Sequence, residues 1–339
     1  MSDPVKSLTS WQGVLLMALA ALLVPFLAGL TVSSMDLNPA SAPAPPVELP
    51  DFDGVRAFGY LEMQCKLGPR PTGSPTLLEL HDRIVAHFEG QDDWQVTTQK
   101  FLVLHPRTRR VVTGRNVIAS YKPDLRSRVL IGAHYDTRPY ADEDPNPRPY
   151  IGANDGASGV AVLMELRHHL AELDLSVGVD LVFFDAEELV FGSGFNVLGE
   201  YCLGSRNFAR AWSRRRGRPV YRAAVILDMV GGRDAAFYPE EHSVSRAAHV
   251  VEQVWRTAAV LGASRFKTLR FRRWKHSVFD DHVPLQQVGI PAIDVIDFDY
   301  PHWHRNTDVP ANCSAATLDE VGTVVLGWLS THFGSGRRR

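Results

Sequence analysis

Four short runs dominated by Val, Ile, Leu, Ala and Phe limit what this chain can become: residues 128–133, 179–184, 223–227 and 292–296. Apolar runs this short, with almost no polar alternation, read as strands buried on both faces. Residues 94–104 and 116–121 alternate in part, as strands with one wetter face do. Helical patterns fall at 159–173, 245–261 and 317–333. Strands alternating with helices predict an α/β fold, with a mixed, mostly parallel central sheet flanked by helices.

The polar residues that end these runs carry the chemistry. His134 and Asp136 follow the first run, Asp185, Glu187 and Glu188 the second, and Asp228 the third. Ligands of open α/β sheets bind beyond the carboxyl ends of the strands, so these groups are expected to converge on one crevice. A lone acid after a strand caps the next helix as readily as it binds anything. Three acidic strand ends with a histidine are harder to account for in that way.

Asp155, before Gly156-Ala157-Ser158-Gly159, and the C-terminal His304 complete a nitrogen and oxygen donor set. Such a set suits a catalytic zinc, which needs three protein ligands and an open position. Of the adjacent pair Glu187 and Glu188, one can bind metal while its neighbour stays free as general base. Asp155 taken alone reads sooner as a helix N-cap than as a ligand. Asp136 reads either as a carboxylate orienting His134 or as a turn residue. Cys65, Cys202 and Cys313 form no C-x-x-C pair, which argues against a thiolate zinc site. Three cysteines allow at most one internal disulfide, which fits an exported protein or a reducing compartment.

The chain has 339 residues, 45% hydrophobic, and a formal net charge of -2. That balance gives no reason to expect a nucleic-acid partner. The arginines at 214–218 and 270–273 read as solvated faces. Residues 13–32 carry no charge and, at about twenty residues, are long enough to span a bilayer. They are expected to form a transmembrane helix, with residues 1–12 as a short cytoplasmic N-terminus bearing Lys6. Ala40-Ser41-Ala42 resembles a processing site, so a cleaved signal stays open. A Pro/Ala-rich linker follows at 33–50. The main domain is expected over 51–335, with a frayed basic tail at 336–339.

The motifs, taken in order, resemble the zinc aminopeptidase family and, within it, the glutaminyl-peptide cyclotransferases. They run Gly68-Pro69-Arg70-Pro71-Thr72-Gly73-Ser74-Pro75, Ala133-His134-Tyr135-Asp136-Thr137, Gly152 to Gly159, and Phe183-Phe184-Asp185-Ala186-Glu187-Glu188. Gly204-Ser205-Arg206, Leu227-Asp228, Asp280-Asp281-His282-Val283-Pro284 and Trp303-His304 complete the series. The resemblance implies a zinc-dependent catalytic domain that acts on peptide or protein N-termini. It implies Asp155, Glu188 and His304 as zinc ligands and Glu187 as the acid/base. Asp228 and Asp280 are implied as supporting acids, and Trp303 as the indole lining the substrate pocket. One zinc is implied for a cyclase that converts N-terminal glutamine to pyroglutamate with loss of ammonia. For an aminopeptidase two are implied, with His134 and Asp228 holding the second and Asp155 bridging. The chain departs from the animal cyclases in two places. No Trp follows the Glu-Glu pair, although Phe191 stands nearby, and Asp294 occupies the place of a histidine.

Overall fold

The computed structural model describes residues 48–192, 197–270 and 272–336. The expected membrane segment at 13–32 and the tail beyond 336 lie outside them. Among the described residues no helix is long and apolar enough to cross a bilayer.

Six strands form one sheet: β1 (Trp94–Leu104), β2 (Val111–Tyr121), β3 (Ser127–His134), β4 (Gly178–Phe184), β5 (Val220–Asp228) and β6 (Ala292–Ile296). Their spatial order is β1-β2-β4-β3-β5-β6. The β1–β2 and β2–β4 pairs are antiparallel, whereas β4–β3, β3–β5 and β5–β6 are parallel. The sheet is therefore mixed and mostly parallel, as the sequence predicts. Every residue of β4 and β6 is buried, which explains their unbroken apolar runs. β2 begins before the expected strand because Gly114 breaks the pattern. A Cβ there would stand 2.4 Å from the Phe101 ring, so the close approach of β1 requires glycine.

Among the described residues seven α-helices flank the sheet: α1 (Gly54–Leu67), α2 (Pro75–Phe88), α3 (Ala157–Leu166), α4 (Leu203–Arg214), α5 (Glu241–Val260), α6 (His282–Gln287) and α7 (Ala315–Phe333). The sequence reading lacks α1, α2, α4 and α6. For α1 and α2 the start signals are nevertheless present. The Asp53 side chain accepts from the Arg56 amide, and Ser74 accepts from the Leu77 amide ahead of Pro75. α3 ends at Leu166, short of the expected 173. There Glu165, fully buried, receives His169 and the Arg56 guanidinium.

α4 and α6 cover one face of the sheet, where Phe208 and Leu285 join Leu130, Val182, Phe184 and Ile226. α3 covers the other face, and all of its residues are buried. A Cβ on Gly159 would lie 2.9 Å from that of Ala133 and 2.1 Å from the Leu227 carbonyl. Glycine at that position lets α3 settle directly on β3 and β5, which brings the loop before it to the strand ends.

Candidate metal and catalytic site

The carboxyl ends of β3, β4 and β5 deliver His134, the Asp185–Glu188 segment and Asp228 to one place, and the loops before α3 and after β6 add Asp155 and His304. Ala186, Met229 and His304 hold positive φ angles of 59°, 48° and 53°. Such backbone costs of order 1–3 kcal/mol per residue and collects where geometry serves function. Here each strained residue is, or directly adjoins, a member of the cluster.

The donors meet closely. His134 Nε2 lies 3.2 Å from Asp155 Oδ1 and 3.2 Å from Asp228 Oδ1. His304 Nε2 lies 2.8 Å from Glu188 Oε1 and 3.6 Å from Asp155 Oδ2. Asp155 thus stands between the two imidazoles, one oxygen toward each. Ligand atoms of His134, Asp155 and Glu188 all fall within 4.8 Å of one another. Asp155 is not the N-cap of α3; Gly156 takes that position with φ 90° and no side-chain bond. Burial and the neighbouring Asp155 charge push the Glu188 carboxyl well above its ordinary range, despite Arg138. Burial and Arg138 drive the His304 imidazole down to about 4, so its ring is neutral at physiological pH, as a metal ligand must be. Crowded, buried carboxylates with neutral imidazole beside them match a divalent cation of the zinc type in donor chemistry.

Glu187 lies beside this set. Its Oε1 accepts from the Cys202 thiol at 3.3 Å, and atoms of Glu187, Cys202 and Asp280 lie within 4.8 Å of one another. Burial raises the Glu187 carboxyl well above its usual range, opposed by His134 and reinforced by Glu188, Asp280 and Asp281. Burial likewise brings Asp228 to about 7 and raises Asp280. Asp281, the formal N-cap of α6, makes no capping bond; it accepts from Ser205 at 2.5 Å. That contact accounts for the serine of the Gly-Ser-Arg string. Trp303 stacks on His304 with ring centroids 3.9 Å apart and packs against Met229, Val278, Ile296 and Tyr300.

Further residues surround the site, and of these the sequence reading names Asp136 and Asp294 but not Tyr150, Asp308, Arg138 or Asp142. The Tyr150 hydroxyl lies 3.1 Å from Asp155 Oδ2 and 2.8 Å from Asp308 Oδ2. Asp308 in turn accepts the Asn154 and Asp155 amides at 2.9 and 3.1 Å. The Arg138 amide donates to Glu188 Oε2 at 3.0 Å, and its guanidinium grips Asp142. Asp136 takes the Glu187 and Glu188 amides at 3.0 and 3.2 Å, while its own carbonyl meets His134 Nδ1 at 3.2 Å. It therefore orients the histidine through its backbone and the glutamate pair through its carboxylate. Asp294 is fully buried near Asp228 and Asp280, which raise its carboxyl further after burial has done so.

A mixed α/β sheet with a buried nitrogen and oxygen donor cluster at its parallel strand ends defines a metallopeptidase-like enzyme. Residues 116–329 match the model of Peptidase family M28, and the chain belongs to that family. Among solved structures, glutaminyl cyclase of Fimbriiglobus ruber is similar at 38% identity and TM-score 0.79, covering 86% of this chain and 100% of that one. A Zn-dependent exopeptidase from Parabacteroides distasonis is similar at 31% identity and TM-score 0.73, covering 82% and 98%. Among curated proteins, the glutaminyl-peptide cyclotransferase of Bothrops jararaca is 27% identical over 286 residues, 76% of this chain and 75% of that protein.

Proposed function

We propose that this protein is a zinc-dependent glutaminyl-peptide cyclotransferase, converting N-terminal glutamine of peptides to pyroglutamate with release of ammonia. The observation that carries the reading is a buried Glu187, free of the donor cluster yet beside it, in a chain whose curated relatives bear that name. Asp155, Glu188 and His304 would hold one zinc. Bound there, the ion would act as a Lewis acid toward the γ-amide carbonyl. His134 and Asp228, in contact at 3.2 Å, brace Asp155 in this reading. They are also the residues that would hold a second ion, and with it support aminopeptidase hydrolysis, in the alternative.

The chain's own residues perform the proton work. The raised affinity of Glu187 for protons suits a base that must also return what it takes. The substrate α-amine attacks the side-chain amide carbon, forming the ring C–N bond. Its proton passes to Glu187 and then to the departing amide nitrogen, which leaves as ammonia when the original C–N bond breaks. Asp280, close to Glu187, helps raise its carboxyl by charge and so favours the protonated form that returns the proton. Trp303, flat on His304, supplies an apolar wall against which a glutamine side chain folds back on its own amine, an orientational advantage.

Ammonia release from Gln-Ala-Ala, set against release of free amino acid from aminoacyl dyes, tests the assignment. Ammonia release without dye cleavage is expected, and brisk dye cleavage with two zincs and uncyclised peptide would replace it with the aminopeptidase alternative. Residues 51–335 form the catalytic domain in this reading. The uncharged segment at 13–32 would anchor it outside the cytoplasm, or direct its secretion if cleaved. Fractionation of the full chain with protease protection checks this; full-length protein in the cytosolic supernatant would overturn it.

A further inference from the structure

A cavity adjoins the candidate site, and nothing in the reaction above uses it. Its volume is about 390 Å³, and it is lined by Arg107, Tyr140, Asp142, Pro147, Val190 and Phe191. Val190 stands two residues beyond Glu188 and donates its amide to the Glu188 carbonyl at 2.7 Å. Asp142 lies 3.6 Å from His304 Nδ1. The cavity therefore shares a wall with the donor cluster. An extended peptide advances about 3.3–3.6 Å per residue. A substrate with its first residue at Glu187 and Glu188 reaches this space with its second or third.

The lining holds one cation and one acid, and only the acid has an ionic partner among the described residues. The Arg107 guanidinium lies 4.4 Å from the Phe191 ring centre and 5.6 Å from that of Tyr140. These rings hold the arginine over the cavity, yet it has no carboxylate partner among the described residues. Asp142, the acid in the wall, is committed to Arg138 through two contacts of 2.8 and 2.9 Å. An unpaired cation over an aromatic floor, beside an acid already neutralised, suits an incoming carboxylate. The flat guanidinium can also take it in two parallel bonds.

We propose that this cavity is a substrate subsite that selects peptides with an acidic side chain at the second or third position after the N-terminal glutamine. The inference rests on the cyclotransferase reading, and its test separates the two. Gln-Glu-Ala-Ala and Gln-Ala-Glu-Ala are compared with their lysine counterparts and with Gln-Ala-Ala-Ala. Ammonia release gives kcat/KM, and calorimetry gives binding whether or not a peptide is cyclised. At least one glutamate peptide should be favoured over its lysine counterpart about three- to tenfold, chiefly through KM and Kd and less so at high salt. Arg107→Ala should erase the preference and Arg107→Glu should invert it, while Gln-Ala-Ala-Ala stays within about twofold of wild type in both. Equal handling of both charges by the wild-type enzyme, or a preference untouched by Arg107→Glu, overturns the subsite. Failure to cyclise any peptide while acidic ones still bind through Arg107 overturns the reaction and leaves the subsite standing.

Discussion

Glu187 and Glu188 are adjacent in the chain, both buried, and turned to different work by a single strained residue. Ala186, at φ 59°, rotates the backbone after β4, and Asp136 clamps the two following amides. Glu188 then meets His304, while Glu187 faces Cys202 and Asp280. Glu187→Gln keeps shape and burial but cannot carry a proton. It should lower kcat by about 10²–10⁴-fold. Zinc content, measured by elemental analysis, should stay at the wild-type level. Loss of zinc in that variant would show that the two glutamates have the opposite roles. At the residue scale the sequence says least, because a lone tyrosine or aspartate advertises nothing. Tyr150 and Asp308 matter only because folding closes a gap of 158 positions to 2.8 Å.

The elements place these side chains through close packing, and two of their contacts make testable claims. Gly159 in α3 lies so near the Leu227 carbonyl that an added Cβ would stand 2.1 Å away, and the obstacle is backbone, which cannot swing aside. Gly159→Ala should cost about 1–3 kcal/mol of stability by overpacking. It should also depress activity in the surviving folded fraction, since α3 moves with Asp155; urea unfolding together with kcat measures both. The second contact lies between α2 and α3, where His87 Nε2–H donates to the Met164 carbonyl at 2.9 Å. Burial lowers the His87 imidazole to about 4, against an ordinary value near 6.5. Between those values the unfolded chain holds the extra proton, so the stability this residue contributes is present above about pH 6.5 and is lost as pH falls through 4. His87→Gln keeps a donor without the titration. Its urea midpoint should therefore fall less steeply than the wild type's between pH 6.5 and 4, and parallel curves would contradict the assignment.

At the scale of the molecule, the sheet order moves sequence neighbours apart and brings distant segments together. β3 sits between β4 and β5, so the chain's successive strand ends converge on a single crevice. The donor cluster that results is a set of buried like charges, costly to the fold until a cation offsets them. Removal of zinc with a chelator should lower the thermal midpoint of the purified enzyme. Restoring it should raise the midpoint with metal concentration, following the gain expected when a ligand binds only the native state. A midpoint indifferent to zinc, followed by calorimetry, would mean the cluster binds none.

The amino-acid sequence by itself determined the sheet. Uniform apolar runs can be satisfied only by strands with both faces covered, and β4 and β6 lie within one residue of where those runs begin and end. It also marked the acids and histidines at the strand ends, because polar residues abruptly following a buried run have no apolar reason to be there. Tertiary structure decided the rest. It added α4, whose arginines hide the Phe208 side from periodicity, and it made Asp136 an anchor for the glutamate pair and not only a partner of His134. It set Arg107 over Phe191, with no carboxylate partner among the described residues, and surrounded Asp155 with Tyr150 and Asp308. The physical reason is the same in each case. Periodicity records which face of an element is dry, but hydrogen bonds and charge contacts depend on distances between elements, and only the closed fold sets those distances.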